Sequence, residues 1–276
     1  MMHYHSTRLL ERIDSNPCQV RVTSTSVGHC GRTQGSPVRG GQWCGELDGL
    51  LQKEDERTMP ALLADPVAHL ISLLDGSAQR VLIGMAGLPG SGKSTLAASL
   101  ARQVNLRVAS TSMIALGMDG FHLTKADLAR MPNPEQAIAR RGAPWTFDPA
   151  ALHDRLKQLR NQAGRAEVAW PGFQHDIGDP IEGAERVPAS VRLVLIEGIY
   201  LLHDDVDWLP INGLLDERWY LDTPPAIAME RLVQRHMRAR GHSRAAAQHR
   251  IDTSDGLNAA IIAPGRERAD WLLEGT

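Results

Sequence analysis

The segment Gly87-Leu88-Pro89-Gly90-Ser91-Gly92-Lys93-Ser94-Thr95 fits the pattern G-x-x-x-x-G-K-[ST] and directly follows an apolar run at 81–85. That run reads as a buried strand and residues 93–104 read as a helix, so the glycine-rich turn sits where a phosphate-cradling loop requires it. Glycines at 87, 90 and 92 let the backbone curl so that successive amide N–H groups face inward, and the helix starting near Lys93 adds the positive end of its dipole. Lys93 supplies a point charge for the β- and γ-phosphates, Ser94 offers its hydroxyl to Mg²⁺, and Thr95 reaches toward the α-phosphate. All nine residues from 87 to 95 are therefore nucleotide-binding candidates. The same cradle serves kinases, ATPases and GTPases, so it constrains the fold more tightly than the reaction.

Further along, apolar runs at 114–118, 191–196 and 219–221 read as strands, and 149–160 and 224–240 as helices. A helical pattern also runs through Leu62, Leu63, Val67, Leu70, Ile71 and Leu74. This alternation predicts an α/β, P-loop NTPase fold with a mainly parallel sheet flanked by helices. Residues 1–58 are rich in Ser, Thr, Gly, Gln and Arg and show no sustained apolar period, which predicts a disordered extension before an ordered domain at 59–276.

Thirty Lys plus Arg stand against 32 Asp plus Glu in 276 residues, a net charge of -2, which argues against a protein whose main task is coating nucleic acid. No apolar run approaches the roughly 20 residues needed to cross a bilayer. The N-terminus has no apolar core of the secretory kind, so a cytoplasmic location is expected. Cys18, Cys30 and Cys44 are odd in number and form no Cys-x-x-Cys pair, which argues against a disulfide framework. Zinc held by them with His29 or His5 would lack the usual closely spaced ligand pairs, so free thiols are expected.

Asp119-Gly120-Phe121-His122 follows the strand at 114–118, and Glu197-Gly198-Ile199-Tyr200 follows the strand at 191–196. In an open parallel sheet the carboxyl ends of the strands share one edge, the edge that also carries the phosphate loop. Asp119, Glu197 and Lys93 are therefore expected to converge. A carboxylate beside a γ-phosphate can take the proton of an attacking hydroxyl, the role assigned to Asp119. A second can hold Mg²⁺ directly or through water, the role assigned to Glu197 together with Ser94.

Together these residues resemble the P-loop small-molecule kinases that include uridine kinase, phosphoribulokinase and bacterial pantothenate kinase. The combination Met118-Asp119-Gly120-Phe121-His122, Arg140-Arg141-Gly142-Ala143-Pro144-Trp145-Thr146-Phe147-Asp148 and Glu197-Gly198-Ile199-Tyr200 is similar to the branch labelled nucleoside kinase-like or fructose transport system kinase. The resemblance extends from about Met59 to the C-terminus. It implies ATP-dependent phosphorylation of an alcohol on a small molecule, with ATP and Mg²⁺ as cofactors, Asp119 as base and Glu197 near the metal.

About seventy residues between the two carboxylate motifs exceed what a nucleotide core needs and are read as the acceptor side. Phe121, His122, Arg141 and Trp145 are its candidates from the residues, and Phe147 or Phe173 could complete an apolar wall. His175 matches a histidine of the pantothenate kinase-like members, so the resemblance implies an acceptor contact there; Gln174 departs from the acidic residue or Ser usual beside it. Asp148 before Pro149 reads as an ordinary helix cap.

Six arginines lie between 231 and 250 with no acidic residue among them, and Arg231, Arg235 and Arg238 share one helical face. In the related kinases this region is a lid, which implies that Arg231 and Arg235 bind nucleotide and that Arg235 steadies the transferring phosphoryl group. Gly241 is read as a hinge or helix end. A nucleotide-hydrolysing switch, either GTPase or chaperone-like ATPase, is the alternative. Its support is Thr124-Lys125-Ala126-Asp127, which resembles a base-recognition motif but is better read as a helix capping box. The acceptor stays open among uridine, other nucleosides, sugars and pantothenate. A homodimer is the base-rate expectation for assembly.

Overall fold

The structure, a computed structural model, describes residues 59–174, 177–241 and 243–275. The expected N-terminal extension, the three cysteines and His175 lie outside the described residues.

The strands are β1 (Ala61–Leu62), β2 (Val81–Gly87), β3 (Met113–Gly117), β4 (Val168–Gln174), β5 (Asp179–Val187), β6 (Leu193–Glu197), β7 (Glu217–Asp222) and β8 (Trp271–Glu274). The helices are α1 (Pro66–Gly76), α2 (Lys93–Arg107), α3 (Lys125–Ala129), α4 (Pro134–Ala139), α5 (Pro149–Asn161), α6 (Leu209–Asn212), α7 (Pro225–Arg240), α8 (Arg244–Arg250) and α9 (Gly256–Ile262). Six strands form one parallel sheet in the order β1-β8-β7-β2-β6-β3, as the alternation of runs predicts.

Every residue of β2 is buried because the strand has neighbours on both edges and helices on both faces. Its side chains alternate accordingly. Val81, Ile83 and Met85 pack with Val67, Leu70 and Leu74 of α1 and with Ala97, Leu100 and Val104 of α2. Leu82 and Ala86 face the other way, into a core shared with Leu152, Leu156 and Leu159 of α5.

Two boundaries differ instructively from the sequence pattern. The apolar pattern of a helix begins at Leu62 in the sequence, yet Leu62 lies exposed in β1 and α1 starts only at Pro66. The residue before a proline disfavours helical backbone, and the Asp65 carboxylate accepts from Ala68 N at 2.9 Å to cap the helix there. The run at 114–118 ends one residue early as a strand, because Met118–Phe121 turns into a 3₁₀ helix that carries Asp119.

Between β3 and β6 the chain inserts the antiparallel hairpin β4–β5, outside the main sheet. It docks on the turn after β3. Trp170 is fully buried, its indole N–H donates to Gly117 O at 2.9 Å, and its ring meets Phe121 edge-on at 5.0 Å. Gly120 follows from this contact, since a Cβ there would collide with the carbonyl oxygen of Pro171.

Candidate active site

Glu197 is the last residue of β6 and pairs with Met85 on one side and Gly117 on the other. The continuations of those two neighbours are the phosphate loop and the Asp119 turn, so the parallel register alone brings three distant segments to one edge.

The loop itself is held from several sides. Ser91 N donates to Leu88 O at 3.1 Å, and Thr223 Oγ1 donates to Ser91 O at 3.0 Å from the end of β7. Gly92 adopts left-handed backbone, φ 99°, and α2 starts at Lys93 with its first N–H groups turned to the loop. Gly90 is required twice over: its φ is 79°, and a Cβ would strike the carbonyl oxygen of Ala228 on α7.

Lys93 is only 6% exposed, and its ammonium donates to Gly87 O and Leu88 O at 3.0 Å each, with Ser91 Oγ at 3.5 Å. Burial lowers its pKa. The charges of Glu197 and Asp119 oppose that fall and the charge of Arg235 adds to it, so all three groups act on one buried ammonium. Glu197 shows the complementary pattern. Burial raises its pKa, Lys93 opposes, the Asp119 charge raises it further, and a hydrogen bond from Ser94 lowers it. That hydrogen bond, Ser94 Oγ to Glu197 Oε1, is 2.8 Å long.

A divalent cation fits this donor set. Mg²⁺ takes one or two protein oxygens and completes its shell with phosphate and water. A hydroxyl and a carboxylate meet beside a second carboxylate whose repulsion a cation would relieve. Among the described residues no cluster of three or more His, Cys, Asp or Glu could hold a metal by itself.

The arginine helix faces the loop. Arg231 Nη1 donates to Ser91 O at 3.3 Å, and Glu230, Arg231, Gln234, Arg235 and Arg238 line an open depression of about 500 Å³. Arg244 is not part of this array, because it forms a two-pronged pair with Glu230 at 3.1 and 2.7 Å. Gly241 ends α7 in left-handed backbone, φ 64°.

Beside the Asp119 turn His122 is stacked between Phe147, with centroids 3.9 Å apart, and Phe173, at 4.7 Å, while its Nδ1 lies 2.8 Å from Asp119 O. Phe121 is buried against Trp170 and belongs to the core beneath this stack. The Arg141 guanidinium lies over the Phe173 ring at 5.4 Å and donates to Leu123 O at 2.8 Å, to Asp179 Oδ1 at 3.0 Å and to Gly178 O. These contacts brace its loop against the hairpin. Trp145 is set apart, 47% exposed on a cleft of about 420 Å³ with Phe147, His203 and Trp208. Thr124 and Asp127 form a reciprocal capping box on α3, and Asp148 caps α5 through Ala151 N at 2.9 Å.

Trp170, Tyr200 and Asn258 are structural members of the site. Tyr200 OH donates to Gly142 O at 2.7 Å, and Asn258 Oδ1 accepts from Arg140 Nη2 at 3.0 Å. Their partners lie far along the chain and meet them only once it is folded.

The model of the Phosphoribulokinase / Uridine kinase family matches residues 82–275. The chain belongs to that family. It is an ATP-binding P-loop kinase, a phosphotransferase with an alcohol group as acceptor. A Schizosaccharomyces pombe protein named as a candidate uridine kinase is 39% identical over 197 residues, 71% of this chain and 83% of that one. Among solved structures, one named as a candidate fructose transport system kinase from Silicibacter sp. TM1040 is 32% identical with a TM-score of 0.66, covering 75% of this chain and 97% of its own. YFH7 from Saccharomyces cerevisiae, at 20% identity and a TM-score of 0.66, covers 75% of this chain and 97% of its own and shares the fold. No helix among the described residues is long and apolar enough to cross a membrane.

Proposed function

We propose that this family member transfers the γ-phosphoryl group of ATP to the alcohol of a nucleoside, sugar or pantothenate-like acceptor, with Asp119 as general base. The observation that carries the proposal is the parallel register that brings the phosphate loop, the end of β6 and the Asp119 turn to one sheet edge, where Ser94 Oγ lies 2.8 Å from Glu197 Oε1. Phosphoryl transfer needs little covalent chemistry from a protein and much positioning and charge compensation, which this constellation offers.

The glycine-rich loop at 87–92 and Lys93 would cradle the polyphosphate, and Ser94 and Glu197 would hold Mg²⁺. When bound, the cation neutralises charge on the β- and γ-phosphates. Asp119, at the end of β3, takes the proton from the acceptor hydroxyl as that oxygen attacks phosphorus. Arg235, with Arg231 reaching the loop at Ser91, compensates charge on the transferring group and closes the depression along α7 against water. His122, held by Phe147 and Phe173, forms the wall nearest Asp119, and Arg141 keeps that wall in register with the hairpin.

A coupled ADP-release screen over uridine, other nucleosides, sugars including fructose, and pantothenate tests the reading. ADP release should be slow with ATP alone and rise sharply with one acceptor class. Turnover that ignores every acceptor would instead support the hydrolytic switch.

A further inference from the structure

The lid helix α7 and the acceptor-side loop belong to different parts of the chain, yet polar contacts from one short segment, 250–258, reach both. His236 follows Arg235 directly and points to the other side of α7, where it is 8% exposed and its Nε2 lies 2.8 Å from Asp255 Oδ2. Asp255 closes a single π-helical turn, Ile251–Asp255, between α8 and α9. Such turns carry a widened, less stable hydrogen-bond ladder and recur at functional sites.

The same segment grips the loop from both ends. Asn258, one turn after Asp255 and 2% exposed, accepts from Arg140 Nη2 at 3.0 Å, and Arg140 Nη1 donates to Thr253 O at 3.3 Å. Arg250, just before the π turn, donates to Ala139 O at 3.2 Å and to Arg141 O at 3.3 Å. Residues 139–142 are thus held by four hydrogen bonds from 250–258, while Tyr200 fixes Gly142 from the Glu197 side. Arg141 carries the connection onward to Asp179 on the hairpin.

We propose that His236 and Asp255 are positioning residues that couple the lid to the acceptor side, so that seating of α7 over the phosphates also sets the 139–148 loop. The inference rests on the reading of α7 as the nucleotide lid and of 139–148 as part of the acceptor wall. Neither residue touches the reacting groups. Their effect runs through Asp255, the π turn and the Asn258–Arg140 contact. Packed polar contacts of this kind transmit a shift because each partner is costly to leave unpaired when buried.

Hydrogen exchange of the full chain with and without adenylyl imidodiphosphate and Mg²⁺ tests this without knowing the acceptor. In the wild type, nucleotide should slow exchange on α7 and also on 139–148, by about threefold or more. Asp255→Ala should keep the protection of α7 and lose that of 139–148, with a melting temperature a few degrees below wild type because the buried His236 loses this partner. Asp255→Asn, which still offers His236 an acceptor oxygen, should restore the loop response.

Protection of α7 with no response at 139–148 in the wild type overturns the coupling and leaves the lid intact. A loop response that persists in Asp255→Ala also overturns it. No protection of α7 in the wild type removes the lid reading, and the coupling with it. Should Asp255→Ala fold poorly, Asn258→Ser offers the second break in the same path and carries the same expectation.

Discussion

Ser94 Oγ donates to Glu197 Oε1 at 2.8 Å and thereby ties the first turn of α2 to the end of β6, 103 residues away. The bond joins the two groups proposed to hold Mg²⁺, and it forms where burial and the Asp119 charge both disfavour an ionised Glu197.

A pH signature follows. With its folded pKa raised above the unfolded value, Glu197 binds more protons in the native state over the interval between the two. Its contribution to stability is full below the unfolded value and is lost as pH rises through the folded one. Glu197→Gln should therefore melt above wild type at pH 8 without Mg²⁺, and the gap should close near pH 4. The same variant should need far more Mg²⁺ for half-maximal activity, on the order of tenfold or more. Equal melting temperatures at both pH values would contradict the burial of this carboxylate.

Asp119→Asn keeps the shape of the 3₁₀ turn and removes the proton acceptor. Phosphoryl transfer should fall by on the order of 10² or more while the ATP dissociation constant changes little. Steady-state kinetics beside calorimetric titration of ATP read the two effects separately. Full activity would take Asp119 out of the base role.

The Asp-Gly turn carries a structural demand as well as a chemical one. Gly120→Ala places a methyl group against the Pro171 carbonyl, on the hairpin that Trp170 anchors. Overpacking of this kind costs roughly 1–3 kcal/mol, so the variant should melt lower by several degrees. Because the displaced part is the hairpin behind His122 and Phe173, the acceptor KM should rise more than the ATP KM. An unchanged melting temperature would mean that β4 is free to withdraw.

The sequence made the nucleotide edge legible because each of its parts is local. Residues 87–95 form the loop by themselves, and Asp119 and Glu197 end runs whose apolar character marks buried strands. Parallel pairing then leaves little choice about where the three meet. The hairpin β4–β5 was read only as an acceptor-side insertion, since Trp170-Pro171-Gly172 and the polar alternation of β5 lack the continuous apolar run of a central strand. The brace that Arg141 forms is not legible in the sequence, because its partner Asp179 lies 38 residues on, at the start of β5. Strand β8 is not legible in the sequence because four residues, Trp271–Glu274, show no usable period until β7 and β1 pair with them.

The role proposed for Arg235 lies in phosphoryl transfer more than in nucleotide binding. It lies on the α7 face that lines the depression, and its charge reaches Lys93, whereas Arg231 bonds the loop itself at Ser91. An arginine that meets the phosphoryl group chiefly in the transition state affects kcat, and one that orders the loop affects ground-state binding too. Arg235→Ala should therefore lower kcat by on the order of 10² to 10³ with less than about a fivefold change in ATP affinity. Arg231→Ala should raise the KM for ATP and lower kcat less. Arg235→Lys should recover only part of the loss, because an ammonium keeps the charge but not the two-pronged reach to phosphate oxygens. Parallel kcat and KM measurements on the three variants decide it. A loss in Arg235→Ala that falls wholly on ATP affinity would place the residue in binding rather than transfer.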